Sequence, residues 1–169
     1  MTDEERRKRP EHHVVHDYAN LLSSGLLITD KVWNDRLLQI APVNSHVWHA
    51  FYMNCRKMFE FFAYPPNNRY FRARDFITQE LPFTFKHWTR AVQTHMEGHM
   101  VHVGGDRTEN EVVWTGGDDK LYLVDFQGAW AAFLSTLKQE HKDIFREEID
   151  LRLNSEFRHC GSLSKELIL

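Results

Sequence analysis

One segment, from residue 46 to about residue 64, constrains the fold more than any other part of the chain. Asn44 and Ser45 can cap a helix there, and Pro65 and Pro66 end it. Apolar side chains repeat along it at spacings of three and four residues, which is the period of an α-helix. The stripe consists of Val47, Phe51, Cys55, Met58 and Phe62, and Trp48, Tyr52 and Phe59 widen it. A helix this apolar predicts a central position in a bundle.

The same period runs through most of the remaining chain. Proline and glycine number only 5 and 8, and they cluster between the periodic segments, which predicts an all-α protein with a bundle of about five helices. Near residues 112–124 the alternative is a short β-hairpin around Gly116 and Gly117. The further helices are predicted from Glu11 to about Leu26, from Thr29–Asp30 to a stop at Pro42, from Thr84 to about Val103, from Lys120 to about Leu137, and from about Glu140 to Leu153, with a short helical turn at Arg72–Ile77.

Length and composition indicate one helical domain. The chain has 169 residues, so we expect a mobile charged tail at residues 1–10 and a single domain at 11–169. No apolar run approaches the roughly 20 residues that span a bilayer, and the charged start lacks the apolar segment of a secretory signal. Two cysteines make no disulfide framework, which favours the cytoplasm. The net charge of −3 gives no global attraction to nucleic acid.

Three motifs together resemble an uncharacterised family of small helical bacterial proteins. Residues 49–62, from His49 through Arg56 and Glu60, resemble its H-x-R-x-L-x-D/E-F-F helix, with Asn54 where the family usually has His. Residues 72–76 resemble its A-x-D-F turn, and His102-Val-Gly-Gly-Asp-Arg107 resembles its H-L-T-x-x-R segment, with Trp114 as its downstream tryptophan. That family is remotely similar to HEPN domains, helical bundles often found as RNA-cleaving toxins or nucleotide-handling partners. The resemblance implies an all-α fold.

Two arginine–histidine pairs have the spacing of the HEPN signature, in which four to six residues separate the two. Attack of a 2′-OH on the RNA backbone needs a general acid or base and a cation, which these side chains supply. The pairs are Arg90 with His95 and Arg152 with His159. Arg90 and His95 would lie about 140° apart around a helix. We favour the second pair slightly, because a helix end leaves His159 free to approach the 2′-OH. A two-fold dimer would bring two copies of a pair into one cleft. A structural or surface role is the alternative for both.

Three histidines continue an apolar stripe in the segment from residue 84 to 103. This predicts that they face inward, where imidazoles four residues apart can ligate Zn²⁺ or Fe²⁺ with a further ligand from His49 or Glu60. The alternative is a set of inward histidines that bind carboxylates, backbone carbonyls or water, without a metal. The stripe reads Trp88, Val92, His95, His99 and His102.

A third constellation joins the central helix to the segment that follows the histidines. Arg56 and Glu60 together with His102 and Arg107 could form a polar cluster that binds an anion near the N–H groups of Gly104–Gly105. The simpler interpretation is a surface ion pair between Arg56 and Glu60. We therefore expect a HEPN-like module that binds RNA or a nucleotide, with metal-independent endoribonuclease activity and homodimer formation as further hypotheses. The alternatives are a non-enzymatic helical interaction protein with structural histidines and a His-ligated metal-dependent enzyme.

Overall fold

Six helices make up most of the chain that the structure, a computed structural model, describes: Glu5 and residues 8–30, 41–65, 69–100 and 118–155. Within these ranges there is no strand, and one isolated antiparallel bridge joins Ile77 to Leu137. The predicted all-α fold is therefore confirmed. The helices are α1 (Pro10–Thr29), α2 (Ala41–Ala63), α3 (Ala73–Phe76), α4 (Arg90–Met100), α5 (Asp118–Thr136) and α6 (Gln139–Ser155).

The helix α2 is central, as its wide apolar stripe predicts. Phe51 and Cys55 are fully buried on it, and the helix packs against α1, α5, α3 and α4. It packs tightly against α1 at Gly25, where an added Cβ would lie 3.0 Å from the side chains of both Phe51 and Leu123. Glycine at this position lets three helices meet, since any side chain would push the Phe51 ring away.

All six helices contribute to one apolar cluster, and its middle is aromatic. Phe133 of α5 is fully buried and its ring lies 5.3 to 6.2 Å from the rings of five neighbours. These separations suit edge-to-face and tilted packing of rings. The neighbours are Phe61, Phe62, Phe76, Trp130 and Phe145. Among the helices that the structure describes, none is long and apolar enough to cross a membrane.

The start of α4 differs from the prediction because a distant carboxylate holds the preceding backbone. Asp125 of α5 is buried, and its Oδ2 accepts hydrogen bonds from the backbone N–H groups of Lys86, His87 and Trp88 at 3.0, 2.6 and 2.9 Å. These N–H groups lie in an irregular segment, and the helix begins only at Arg90 rather than at Thr84. The predicted contact between this helix and α2 is confirmed.

Two further boundaries differ from the sequence prediction. Pro42 lies in the first turn of α2, where its missing N–H breaks no hydrogen bond, so it starts this helix instead of stopping an earlier one. The hairpin alternative is wrong for residues 118–124, which belong to α5. Its other half at residues 112–117, the predicted helix at 31–40 and most of the predicted tail at 1–10 lie outside the described residues.

Candidate nucleic-acid interface

Arginine and tyrosine side chains alternate along one surface between the end of α2 and the start of α4. The guanidinium carbon of Arg90 lies 4.8 Å from the ring centre of Tyr64, and that of Arg72 lies 5.7 Å from the same ring. Arg72 and Arg69 each lie 5.6 Å from the ring centre of Tyr70. All four distances fall within the range of about 6 Å for cation–π attraction. We call these five residues the arginine–tyrosine ladder.

Three separate elements bring the ladder together. Tyr64 directly follows the last residue of α2, and Arg90 is the first residue of α4. Arg72 caps the start of the short helix α3, where its backbone N–H donates to Asp75 Oδ2 at 2.7 Å. Since Asp125 holds the segment just before α4, it also determines where Arg90 emerges beside Tyr64.

Two guanidinium groups of the ladder lack a carboxylate partner among the described residues. Arg72 is only 7% exposed, and its Nε is buried without a hydrogen-bond partner. The side chain of Arg90 is exposed, and within the described ranges its one interaction is with the ring of Tyr64. Cation–π contacts offset only part of the desolvation of a buried cation. The ladder therefore keeps uncompensated positive charge.

Glu60, which connects to the ladder through Gln93, is already engaged in an ion pair. Arg56 Nε donates to Glu60 Oε1 at 3.0 Å, so the predicted ion pair within α2 forms, with the two side chains 36% and 27% exposed. Gln93 Nε2 donates to the same carboxylate oxygen at 3.5 Å, and the Tyr64 hydroxyl donates to Gln93 Oε1 at 3.5 Å. Of the predicted anion-binding cluster, Arg56 and Glu60 thus lie next to the ladder. Its other members, His102 and Arg107, lie outside the described residues.

Two aromatic rings, Tyr70 of the ladder and its neighbour Phe71, are exposed to solvent. Tyr70 is 55% exposed and Phe71 is 57% exposed, whereas most other aromatic side chains of the described chain are buried or partly buried. Arg74, which follows them, pairs with Glu80 at 3.3 Å. Exposed rings can stack on bases, and guanidinium groups next to them can contact phosphates, which is how proteins bind single-stranded nucleic acids.

The prediction that His95 faces inward is wrong. His95 is exposed, and the buried side chains among residues 90–96, the described part of α4, are Gln93 and Met96, each one position after the predicted Val92 and His95. The prediction counted the buried face of the helix from Trp88. Trp88 is buried, but it lies in the irregular segment before α4, so its position does not indicate which face of the helix is buried. Arg90 and His95 thus both reach solvent on one helix, about 140° apart.

The other predicted catalytic pair is only half described. Arg152 lies near the end of α6 and is half-buried, while His159 lies outside the described residues. Among the described residues, Arg152 acts electrostatically on His16 of α1. Burial, and after it the positive charge of Arg152, lowers the pKa of His16 below its usual value. Arg152 therefore acts electrostatically on a histidine that the sequence spacing does not indicate.

The predicted metal ligands are not brought together in the part of the chain that can be described. Within it, no group of three or more His, Cys, Asp or Glu side chains could hold a metal ion. His95 is exposed on α4, and the side chain of His99 and all of His102 lie outside the description. His49 is exposed on α2, and it does not form a metal-binding group with His95 in the described part of the chain.

Buried polar pairs join α1 to α6, and sequence reasoning missed them. His12 Nδ1 lies 2.8 Å from Glu148 Oε2, and His141 Nδ1 lies 2.7 Å from Glu11 Oε1. Glu11 and Glu148 are 4% and 1% exposed. The partners are 136 and 130 positions apart along the chain, so no local pattern could pair them. Their position between two packed helices makes them structural cross-links.

The ladder itself had a local signal that could have been found. The run Arg69-Tyr70-Phe71-Arg72 interleaves basic and aromatic residues, which is a known pattern of nucleic-acid-binding segments. Its connection to Tyr64 and Arg90 depends on tertiary packing. The chain matches no protein-family model, and comparisons with curated proteins and with solved structures also give no match.

Proposed function

We propose that this protein is a HEPN-like helical module that binds single-stranded RNA or a nucleotide through the arginine–tyrosine ladder. The observation that carries the proposal is the exposure of Tyr70 and Phe71 next to Arg72, whose guanidinium group has no carboxylate partner among the described residues and shares the ring of Tyr64 with Arg90. The motif resemblance to HEPN-like bundles, which include nucleotide-handling proteins, agrees with it. Tyr70 and Phe71 supply stacking surfaces, and the arginines supply contacts to phosphate.

The positive charge of the ladder allows RNA binding by a chain whose net charge is negative. The net charge of −3 means that the whole molecule does not attract RNA over a long distance. Binding energy must then come from the contact surface, where stacking of one base on an aromatic ring contributes about 1–3 kcal/mol. Two exposed rings and the guanidinium groups of Arg72 and Arg90 offer contacts for a short segment of a few nucleotides.

Binding should be measured by the fluorescence anisotropy of a labelled single-stranded RNA, about 12 nucleotides long, at about 50 mM salt. Replacing both rings, in Tyr70→Ala/Phe71→Ala, should weaken binding about tenfold or more because the stacking is lost. The control is Val124→Ala, which shortens a side chain that is 59% exposed on α5, a helix that contributes no residue to the ladder. Equal binding by the wild type and the double variant would reject this surface, and an absence of binding would favour the non-enzymatic interaction protein.

Metal-independent cleavage of the bound RNA is the further part of the proposal. In a HEPN-like dimer, Arg152 with His159 or Arg90 with His95 would supply the cation and the general acid or base. Incubation of RNA with the wild type in EDTA tests this, together with His159→Ala and His95→Ala, and light scattering reports the oligomeric state. Cleavage that one substitution abolishes identifies the pair. Intact RNA after incubation with a verified dimer would restrict the function to binding.

A further inference from the structure

A buried cation in the ladder has no explanation in the fold alone. The Arg72 side chain is removed from water, its Nε has no hydrogen-bond partner, and no described carboxylate pairs with its guanidinium group. A buried charge without an ionic partner destabilises a protein, and such a group persists where it serves another purpose. Asp75 shows that an acid is close by, yet its carboxylate binds the backbone N–H of Arg72. The guanidinium group thus stays available for an anion.

Arg90 places a second guanidinium group on the same ring. Both groups contact Tyr64, at 4.8 Å for Arg90 and 5.7 Å for Arg72. The buried Arg72 is held between the rings of Tyr64 and Tyr70, whereas Arg90 is exposed at the first position of α4. One arginine is therefore fixed in advance, and the other is able to move onto a ligand from the solvent side.

We propose that Arg72 and Arg90 bind a terminal phosphate monoester of an RNA end or a nucleotide beside Tyr64, an inference that rests on the proposed function above. A terminal phosphate carries close to two negative charges at neutral pH, whereas an internal phosphodiester carries one. The nearby Arg56 and Glu60 neutralise each other in an ion pair. The positive charges of Arg72 and Arg90 therefore remain for the ligand. Guanidinium groups bind phosphate oxygens through paired N–H donors, which favours arginine over lysine at such a site.

The position of the exposed rings determines in which direction the strand would run from a phosphate bound at Arg72. Arg72 touches both Tyr64 and Tyr70, so a phosphate on Arg72 lies one ladder step from Tyr70. The first base of a strand whose end is held there can stack on Tyr70, and Phe71 offers a second ring. The site should therefore bind the end of a strand in preference to its interior.

The test compares one labelled RNA oligonucleotide in three forms: with a 5′-phosphate, with a 3′-phosphate, and with hydroxyl groups at both ends. We expect one phosphorylated form to bind about tenfold more tightly than the hydroxyl form. Arg90→Gln should reduce this ratio to near one. The matched control is Arg146→Gln, which removes an exposed arginine from α6 and should retain the ratio. Arg90 is exposed, so its substitution does not threaten folding; circular dichroism verifies this.

Inorganic phosphate and adenosine monophosphate test the site without RNA. Each should raise the thermal unfolding temperature of the wild type and of Arg146→Gln, and not that of Arg90→Gln. RNA binding with equal affinity for all three ends would overturn the phosphate site and leave the proposed function in place. Phosphate stabilisation that depends on Arg90, without RNA binding, would support the site and reject the RNA function. No response to either kind of ligand would reject both.

Discussion

The substitution Asp125→Asn tests how a single carboxylate organises the start of α4. Asp125 Oδ2 accepts three backbone hydrogen bonds, from residues 86, 87 and 88, in a place where the carboxylate is 3% exposed. Asparagine has nearly the same shape, so the substitution removes charge and acceptor capacity with little change in packing. This makes the change a measure of electrostatics and hydrogen bonding at one site.

The expected loss follows from the three bonds. Hydrogen bonds to a charged group contribute roughly 1.5–3 kcal/mol each, and neutral ones roughly 0.5–1.5 kcal/mol. The asparagine oxygen can take the place of Oδ2 and face the same three N–H groups, but it carries no charge, and the amide group that replaces Oδ1 can only donate. Weakening three charged hydrogen bonds to neutral ones should lower the free energy of unfolding by about 2–4 kcal/mol.

Urea unfolding measures this loss, monitored by circular dichroism and by tryptophan fluorescence, because Trp88 is itself one of the residues held by Asp125. The control is Asp143→Asn on α6, an exposed carboxylate whose replacement should change stability by less than about 0.5 kcal/mol. A loss below about 1 kcal/mol for Asp125→Asn would refute the reasoning, because it would mean that the three bonds contribute no more than a single neutral one.

Three further predictions concern the packing and titration of the core. Gly128→Ala should lower the thermal unfolding temperature even though alanine favours helices, because the new Cβ would lie 2.5 Å from the ring of Phe83; an unchanged or raised temperature would show that the ring moves aside at no cost. Burial lowers the pKa of His16 in the folded state, so the unfolded chain takes up its proton first as the pH falls. His16 therefore favours the folded state at neutral pH, and this stability is lost as the pH falls below about 6.5. His16→Gln should lose less stability than the wild type between about pH 7 and pH 5 in urea titrations, and parallel curves would contradict this contribution. Burial raises the pKa of the Cys55 thiol, so Cys160→Ser protein should react with a thiol reagent only after denaturant is added, and rapid labelling of the native protein would contradict the burial.

Local periodicity was sufficient to predict the main helices. The apolar stripe of α2 and the segments of α1, α5 and α6 appear within a few residues of their predicted limits, because a helical repeat is encoded by neighbours three and four positions apart. The central position of α2 follows from the same pattern, since a helix that is apolar over most of its surface needs neighbours on several sides.

The candidate site depended on contacts that no local pattern contains. Asp125 moves the start of α4 to Arg90, and this start leaves His95 exposed although the sequence predicts that it faces inward. The run from Arg69 to Arg72 is visible in the sequence, but its connection to Tyr64 and Arg90 is not. Helical period reports which side of a segment is apolar, whereas the meeting of distant side chains depends on how whole helices pack. Only the tertiary structure therefore brings the ladder residues together and concentrates their positive charge on one surface.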